Sequence, residues 1–424
     1  MTVPVLDRRI LPDTAAVSAA GHLTVGGCDT LDLAARFGTP LIVYDEAHLR
    51  SRCRAAVAAF PGGVSYASKA FSCRAMSALA HGEGLTLDVA SAGEFLVALE
   101  AGLPASRIVV HGNNKSVAEL DLALAHGVHR LVVDSAEELD RIAALGHSPP
   151  EVWLRVNPGV TPDTHPSIAT GQVRSKFGVP AGPEADRLIK QMLAGGQVRL
   201  RGIHMHLGSQ IRDLDVYPDA IGNLARHLRD WDLAELCVGG GLAVPYTRAE
   251  RAPDVAAFAE TIRRACHRVL PASVSVSCEL GRWIAATAGL TLYTVGAVKD
   301  TQDGSAIVAV DGGMADNMRV ALYGAAYEML APGRPYARER LVTVAGKHCE
   351  SGDVLARDAA LPADLAAGDI VGCLVTGAYG YSMASSYNRL GRPAVVFAAG
   401  GQATLVLRRE TPADMMTLDT WRRP

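Results

Sequence analysis

Residues 64–71 read Val-Ser-Tyr-Ala-Ser-Lys-Ala-Phe. A short β-rich run, Val64–Ala67, stops at Ser68–Lys69, and an apolar-periodic stretch, Cys73–His81, follows it. A strand that ends in a polar pair and gives way to a helix is the repeating unit of α/β proteins. Working outward, the unit recurs. Strand-like runs lie at Leu85–Val89, Ile108–His111, Leu131–Asp134, Val152–Val156, Val198–His204, Leu236–Val238 and Val274–Cys278. Helical patterns with apolar residues at i, i+3 and i+4 lie between them, at Gly93–Ala101, Val117–His126, Ala136–Leu145, Glu184–Leu193, Val216–Arg229 and Val255–Val269. Eight strands alternating with helices is the count of a (β/α)8 barrel. An open doubly wound sheet has the same alternation, so periodicity leaves it open and the number favours the barrel.

The texture changes after Arg282. Leu290–Val298, Ala306–Val310, Leu341–Val344, Asp369–Val375, Ala394–Ala398 and Gln402–Arg408 are strand-like, separated by turn signals such as Asp303–Gly304 and Gly400–Gly401. This predicts an α/β barrel over residues 46–283. A β-rich domain is expected from 284–424, joined by residues 1–45 with their own pieces Leu23–Val25 and Leu41–Tyr44. The 424 residues are 49% hydrophobic and 20% charged, with a net charge of −3. That describes a soluble globular protein and gives no basic footprint for nucleic acid. No apolar run is long enough for a membrane span. The opening MTVPVLDRRILPDTA lacks the pattern of a secretory signal, so a cytoplasmic protein is expected. The eight cysteines are scattered without a C-x-x-C, which reads as reduced thiols and no metal site.

Catalytic groups of a barrel sit at the C-terminal ends of its strands. Those ends carry Ser68–Lys69, Asp88, His111–Gly112–Asn113, His204–Met205–His206–Leu207–Gly208–Ser209, Gly239–Gly240–Gly241, and Glu279 with Arg282. Lys69 alone reads equally as a snorkelling surface residue or as a Schiff-base amine. The triple glycine reads as a tight turn or an anion nest, and Glu279 as an ion pair with Arg282 or as a functional acid. His204 and His206 alternate, so they point to opposite sides and do not ligate one metal. Lysine, glycine nest and strand-end carboxylate together suggest pyridoxal 5'-phosphate, with its aldehyde on the amine, its phosphate on the glycines and its ring nitrogen on the acid.

Eight segments then carry a resemblance that covers residues 40–410. They are YASKAF (66–71), HGNNKS (111–116), THPSIATGQVRSKFG (164–178), HMHLGSQI (204–211), GGGL (239–242), DGGMADNMRVALY (311–323), GKHCESGD (346–353) and GAYGYSMASSYN (377–388). In this order the chain resembles the fold-type III pyridoxal-phosphate decarboxylases, most closely the diaminopimelate decarboxylases. The resemblance implies a pyridoxal-phosphate barrel with a C-terminal β-domain, in a homodimer with shared active sites. It implies that Lys69 holds the cofactor, that His206 stacks on its ring and that Glu279 faces the ring nitrogen. Ser209, Gly239, Gly240, Gly241, Gly281 and Arg282 would take the phosphate, with Asp88 and Tyr379 also at the cofactor. Arg282, Arg319, Tyr323, Glu350 and Tyr379 would bind an amino-acid substrate, and Cys349 would donate a proton from the partner subunit, accompanied by Glu350. The reaction implied is loss of CO2 from meso-2,6-diaminopimelate to give L-lysine.

Two departures stand out. Glu279–Leu280–Gly281–Arg282 lacks the family's proline, which is expected to loosen the backbone. Cys237–Val238–Gly239–Gly240–Gly241–Leu242–Ala243 lacks the acid at the base of the nest. Both leave room for a modified or carrier-bound amino acid as substrate. A diamine-forming decarboxylase of ornithine, lysine or arginine has no use for Arg319. A racemase favours an arginine over Glu279 at the ring nitrogen. A catalytically silent homologue has no need of both Lys69 and Cys349.

Overall fold

A computed structural model describes residues 6–161, 175–302, 305–335 and 339–421. Part of the segment 164–178 and the Asp303–Gly304 turn signal lie outside the described residues. The chain divides into two compact units, one of residues 52–244 and 252–283 and the other of residues 1–51, 245–251 and 284–424.

The first unit is a closed barrel of eight parallel strands: β1 (Val64–Ala67), β2 (Thr86–Val89), β3 (Ile108–Val110), β4 (Arg130–Val133), β5 (Glu151–Asn157), β6 (Arg199–His204), β7 (Glu235–Cys237) and β8 (Ser275–Leu280). Closure is made where β8 pairs with β1, Leu280 opposite Tyr66 and Glu279 opposite Ser65. The open-sheet alternative is thereby excluded. A two-residue strand, Val179–Pro180, adds to β5. The helices follow the periodicity that predicts them. Val216–Asp230 buries Tyr217, Ile221, Leu224 and Leu228, and Val255–Val269 buries Phe258, Ile262 and Cys266. Each such apolar side chain contributes roughly 1.5–3 kcal/mol by leaving water. Polar residues fix where helices begin: Ser116 and Glu119 form a reciprocal capping box before Val117, and Asp254 accepts from the Ala257 N–H at 2.7 Å.

A buried lysine–glutamate pair is built into this unit's interior. Lys115, in the loop after β3, is 3% exposed, and its ammonium lies 2.7 Å from the Glu138 carboxylate, itself 1% exposed. Two of its protons go to the carbonyls of Gly112 and Val132, each at 2.7 Å. Glu138 Oε2 accepts from the Asp134 N–H at 3.1 Å. The ammonium thus has two carbonyl acceptors and a counter-charge, although Glu138 Oε1 itself accepts no hydrogen bond, and pairing of this kind is how a charge is tolerated away from water.

The second unit is β-rich. Its main sheet runs in the order Val354–Pro362, Glu339–Ala345, Ala306–Val310, Gly289–Asp300, Leu41–Asp45, Ala394–Ala399, Gln402–Leu407, and Ile370–Cys373 also pairs with Gly289–Asp300. The twelve-residue strand Gly289–Asp300 serves three neighbours: Leu41–Asp45 and Ile370–Cys373 along its first half, on opposite edges, and Ala306–Val310 along its second. Leu41–Asp45 is buried at every position, which is why Leu-Ile-Val-Tyr reads as a strand without alternation. Val354–Pro362 escapes sequence reading. Its Ala-Arg-Asp-Ala-Ala centre has little β propensity, and Asp358 at φ 52° interrupts it. No helix among the described residues is long and apolar enough to cross a membrane.

Candidate active site

At the C-terminal end of β1 the chain turns through Ser68–Ala70. The turn is tied down on both sides: the Ser68 hydroxyl donates to the Asp88 carbonyl at 2.7 Å, and the Tyr66 hydroxyl to the Phe71 carbonyl at 2.9 Å. Lys69 is half-exposed, with its Nζ 3.7 Å from Oδ2 of the buried Asp88. The end of β8 passes close by. A Cβ on Gly281 would lie 3.0 Å from the Cβ atoms of both Ala67 and Ala70. Glycine there lets the acid of β8 and the lysine of β1 share one rim. Leu280 does not loosen this passage. It is the last residue of β8, buried and in register with Tyr66, so the ladder holds the backbone where proline would have held it by ring geometry.

Glu279 does not pair with Arg282. Its Oε1 accepts from His111 Nε2 at 2.8 Å and its Oε2 from His204 Nε2 at 2.9 Å, and all three side chains are buried. Burial opposes the charge on Glu279, but the two imidazole donors outweigh it and hold the carboxyl well below its usual range. Burial likewise pushes His204 down to about 4, against the pull of Glu279. The ligand atoms of the three lie within 4.8 Å of one another, the composition of a cation site. The two short contacts are better described as N–H donors on a carboxylate. His204, the last residue of β6, faces Glu279, and His206 lies past the end of that strand, so strand alternation does not relate the two; its Nδ1 accepts from the Gly240 N–H at 3.1 Å. Burial, then the charges of Lys69 and Arg155, keep His206 neutral by pushing its pKa well down.

The glycines after β7 form a cradle that no side chain can enter. Gly239 and Gly241 have φ of 66° and 116°, a region where glycine alone is unstrained. A Cβ on Gly240 would sit 2.1 Å from the Glu279 carbonyl, and one on Gly241 2.8 Å from that of Gly208. Beside Gly208, the Ser209 hydroxyl contacts Arg282 Nε at 3.1 Å and Nη2 at 2.8 Å. A glycine cradle with a hydroxyl and a guanidinium at its edge suits an anion such as phosphate. Beneath it, Cys237 is buried among Val109, Val132 and Trp153. Burial and the Glu279 charge push its thiol well up, so a neutral group stands where the family's acid would have added a second carboxylate. The rim thus gathers Lys69, Asp88, His206, Ser209, Gly239, Gly240, Gly241, Glu279, Gly281 and Arg282. A lysine, an acid held ionised and an anion cradle fit the three ends of pyridoxal 5'-phosphate. Sequence reading places His111 and His204 at the rim but assigns them no task, because their contacts with Glu279 span 168 and 75 residues.

In the second unit, Arg319 opens the short helix Arg319–Tyr323 and is buried. Its guanidinium lies 4.4 Å from the centre of the Tyr246 ring and donates to the Tyr327 hydroxyl. The two rings meet edge to face at 5.1 Å. Its Nε has no hydrogen-bond partner, and it forms no ion pair with a carboxylate among the described residues. Tyr246 and Tyr327 were not legible as site residues, since nothing local marks a tyrosine that covers a distant arginine. Tyr323 is half-buried, and Tyr379 adopts a left-handed φ of 60°. Cys349 and Glu350 are exposed, and Glu350 lines a cavity of about 250 Å³ with Met314, Ala315, Met318, Ser385 and Tyr387. Beneath that turn the Asp353 carboxylate accepts from the N–H groups of Met314 at 2.6 Å and His348 at 2.8 Å. Asp316 is buried and accepts from the Gly313 N–H at 3.0 Å; burial raises its pKa to about 6.

The model of the pyridoxal binding domain of pyridoxal-dependent decarboxylases matches residues 46–286. The chain belongs to the pyridoxal-dependent decarboxylases. Relatives within this family include the diaminopimelate decarboxylase of Actinosynnema pretiosum subsp. auranticum, 44% identical over 93% of this chain and 92% of that one. That of Bacillus subtilis (strain 168) is 43% identical over 96% of this chain and 98% of its own. Among solved decarboxylases, diaminopimelate decarboxylase from M. jannaschii in complex with L-lysine superposes with a TM-score of 0.89. It has 31% identity and covers 97% of this chain and 98% of that chain. The lysine/ornithine decarboxylase of Vibrio vulnificus in complex with cadaverine gives 0.76 at 25% identity, over 87% and 95% of the two chains.

Proposed function

We propose that this decarboxylase acts on meso-2,6-diaminopimelate with pyridoxal 5'-phosphate, releasing CO2 and L-lysine. The observation that carries the substrate choice is Arg319, a buried cation faced by two tyrosine rings and by no carboxylate of its own among the described residues. A buried guanidinium calls for an anionic partner. The distal end of diaminopimelate brings a carboxylate, whereas lysine and ornithine bring a second ammonium, which Arg319 would repel. The relatives named above, at 43–44% identity over nearly the whole chain, are diaminopimelate decarboxylases.

In this reading Lys69 holds the cofactor, His206 covers its ring, and Glu279 meets the ring nitrogen with Asp88 close by. Ser209, Gly239, Gly240, Gly241, Gly281 and Arg282 take the phosphate, and Tyr379 completes the cofactor's surroundings. When bound, the cofactor supplies an electron sink for the bonding pair left as CO2 departs. The chain's own groups do the rest. Arg319, with Arg282 and Tyr323, holds the distal carboxylate, and Glu350 the distal ammonium, one group per charge. Cys349 returns a proton to Cα. Cys349 and Glu350 act in the site of a second copy, in a cytoplasmic homodimer. Limits of 46–283 for the barrel domain and of 1–45 with 284–424 for the β-rich one belong to the same reading, supported by the family match over 46–286.

The deciding experiment is CO2 release by purified, cofactor-loaded protein given meso-diaminopimelate beside lysine, ornithine and arginine. Turnover of diaminopimelate alone is expected. Turnover of a diamine precursor, or only of a decorated or carrier-bound amino acid, overturns the substrate and leaves the decarboxylase class.

A further inference from the structure

We infer that His111 and His204 are positioning residues that fix the orientation and ionisation of Glu279, and so keep the proton on the ring nitrogen of the bound cofactor. The inference rests on the cofactor reading above and concerns how this chain tunes that cofactor.

The geometry gives each carboxylate oxygen its own imidazole, at 2.8 and 2.9 Å. An ionised carboxylate only accepts, so both Nε2 atoms carry hydrogen. His204 Nδ1 is buried with no hydrogen-bond partner. A second proton there would be an orphaned N–H, so His204 is neutral in the Nε2–H tautomer. The pair cannot swing away. His111 meets the His204 ring edge-on at 4.9 Å, and the Trp153 ring of β5 lies nearly parallel to His204, 19° apart with centroids 6.4 Å apart. Trp153 is anchored in turn by its Nε1–H to Glu235 at 2.6 Å. The clamp therefore joins the ends of β3, β6 and β8 over a tryptophan from β5.

Its chemical effect follows from where a shared proton rests. A lone carboxylate in a barrel interior becomes more basic as it loses water. It would then compete with a pyridine nitrogen for the proton between them, and a neutral ring is a weaker electron sink. Two N–H donors drain basicity from Glu279 and push that proton onto the ring. The surrounding charges are mixed. Asp88 lies 3.7 Å from both His111 and Lys69. Arg155 of β5 and the neutral thiol of Cys237 at the end of β7 act on Glu279 from other strands, and the neutral thiol of Cys278 adjoins it on β8. None of these donates a hydrogen bond to the carboxylate, which leaves the two imidazoles as the groups that set it.

The test reconstitutes the protein with cofactor labelled with 15N in the ring and follows the ring-nitrogen shift by NMR from pH 6 to 9. The wild type should stay in the protonated range throughout. His111→Leu and His204→Leu should each move the proton equilibrium toward the neutral ring by about tenfold or more, as expected for loss of a hydrogen bond to a charged group. His204→Gln, which keeps an N–H donor, should restore most of it. Leucine variants that hold cofactor and keep the wild-type shift overturn the inference and leave the imidazoles as packing. Where a leucine variant does not fold, 15N-histidine spectra of the wild type decide. His204 must appear as the neutral Nε2–H tautomer and His111 must carry hydrogen on Nε2, in the protein with and without cofactor, and an Nε2 without hydrogen at either refutes the clamp. A wild type that takes up no cofactor would instead refute the cofactor reading.

Discussion

Lys115→Met isolates what one internal charge does for the barrel. The substitution keeps most of the apolar stem and removes the ammonium that meets Glu138, Gly112 and Val132, each at 2.7 Å. It leaves the Glu138 carboxylate, 1% exposed, with the Asp134 N–H as its remaining donor, and frees two buried carbonyls. Breaking a buried pair from one side costs about 3–5 kcal/mol, because the surviving charge cannot reach water. For a unit of this size each kcal/mol is worth roughly 2–4 °C, so the melting temperature should fall by roughly 6–20 °C. Glu138→Leu alone should also destabilise, since it strands the lysine. The double variant should cost less than the sum of the singles by about 2 kcal/mol, as charge and counter-charge leave together. Urea unfolding of the four proteins without cofactor, at one pH and salt, measures the cycle. A single variant melting within 2 °C of wild type, or strict additivity in the double, refutes the view that this pair is a closed unit.

The remaining expectations concern chemistry and pH. Lys69→Ala should remove the visible absorbance of the loaded enzyme together with activity, and mixing it with Cys349→Ala after subunit exchange should recover part of the activity, which separate sites in each chain would not allow. Arg319→Ala should lower kcat/KM for diaminopimelate by about 30-fold or more, about 2 kcal/mol, with the cofactor spectrum intact; an unchanged KM and kcat would remove Arg319 from the substrate. Asp316 has its carboxyl raised to about 6 from 3.8. The folded state therefore binds its proton more tightly, and the stabilisation is complete below pH 3.8 and lost as pH rises through about 6. Asp316→Asn should flatten that part of the stability profile, gaining up to about 3 kcal/mol relative to wild type at pH 7; parallel profiles for the two proteins would contradict the assignment.

The barrel was legible because its signals are local. Each strand is a short apolar run ending in a polar residue, and each helix keeps its period over two or more turns, so both survive without tertiary information. The acids and bases of the rim were also legible, since strand ends place them. What could not be read was who touches whom. Glu279 read either as a partner for Arg282, three residues on, or as a functional acid, and neither reading supplied the imidazoles that reach it from the ends of β3 and β6. Leu280 looked like a loosened joint until its place in the β8–β1 ladder was known. Val354–Pro362 was invisible because its Ala-Arg-Asp-Ala-Ala centre takes its strand conformation from Glu339–Ala345, to which it pairs, more than from its own residues.

The strand Leu41–Asp45 has its hydrogen-bonded neighbours at Gly289–Leu292 and Ala394–Ala398. On the ribosome it emerges long before either. At about 5–20 residues per second, roughly 20–70 s separate it from its last neighbour. During that interval the barrel sequence is completed, and its strands pair mostly with sequence neighbours, so it can close first. A strand apolar over Leu41–Val43 then waits unpaired, an edge without a sheet. Its safe arrival depends on the nascent chain being shielded, or on the barrel forming quickly enough to shorten the wait. Truncation anywhere between residues 300 and 390 should therefore yield a folded barrel that aggregates through its own N-terminal segment.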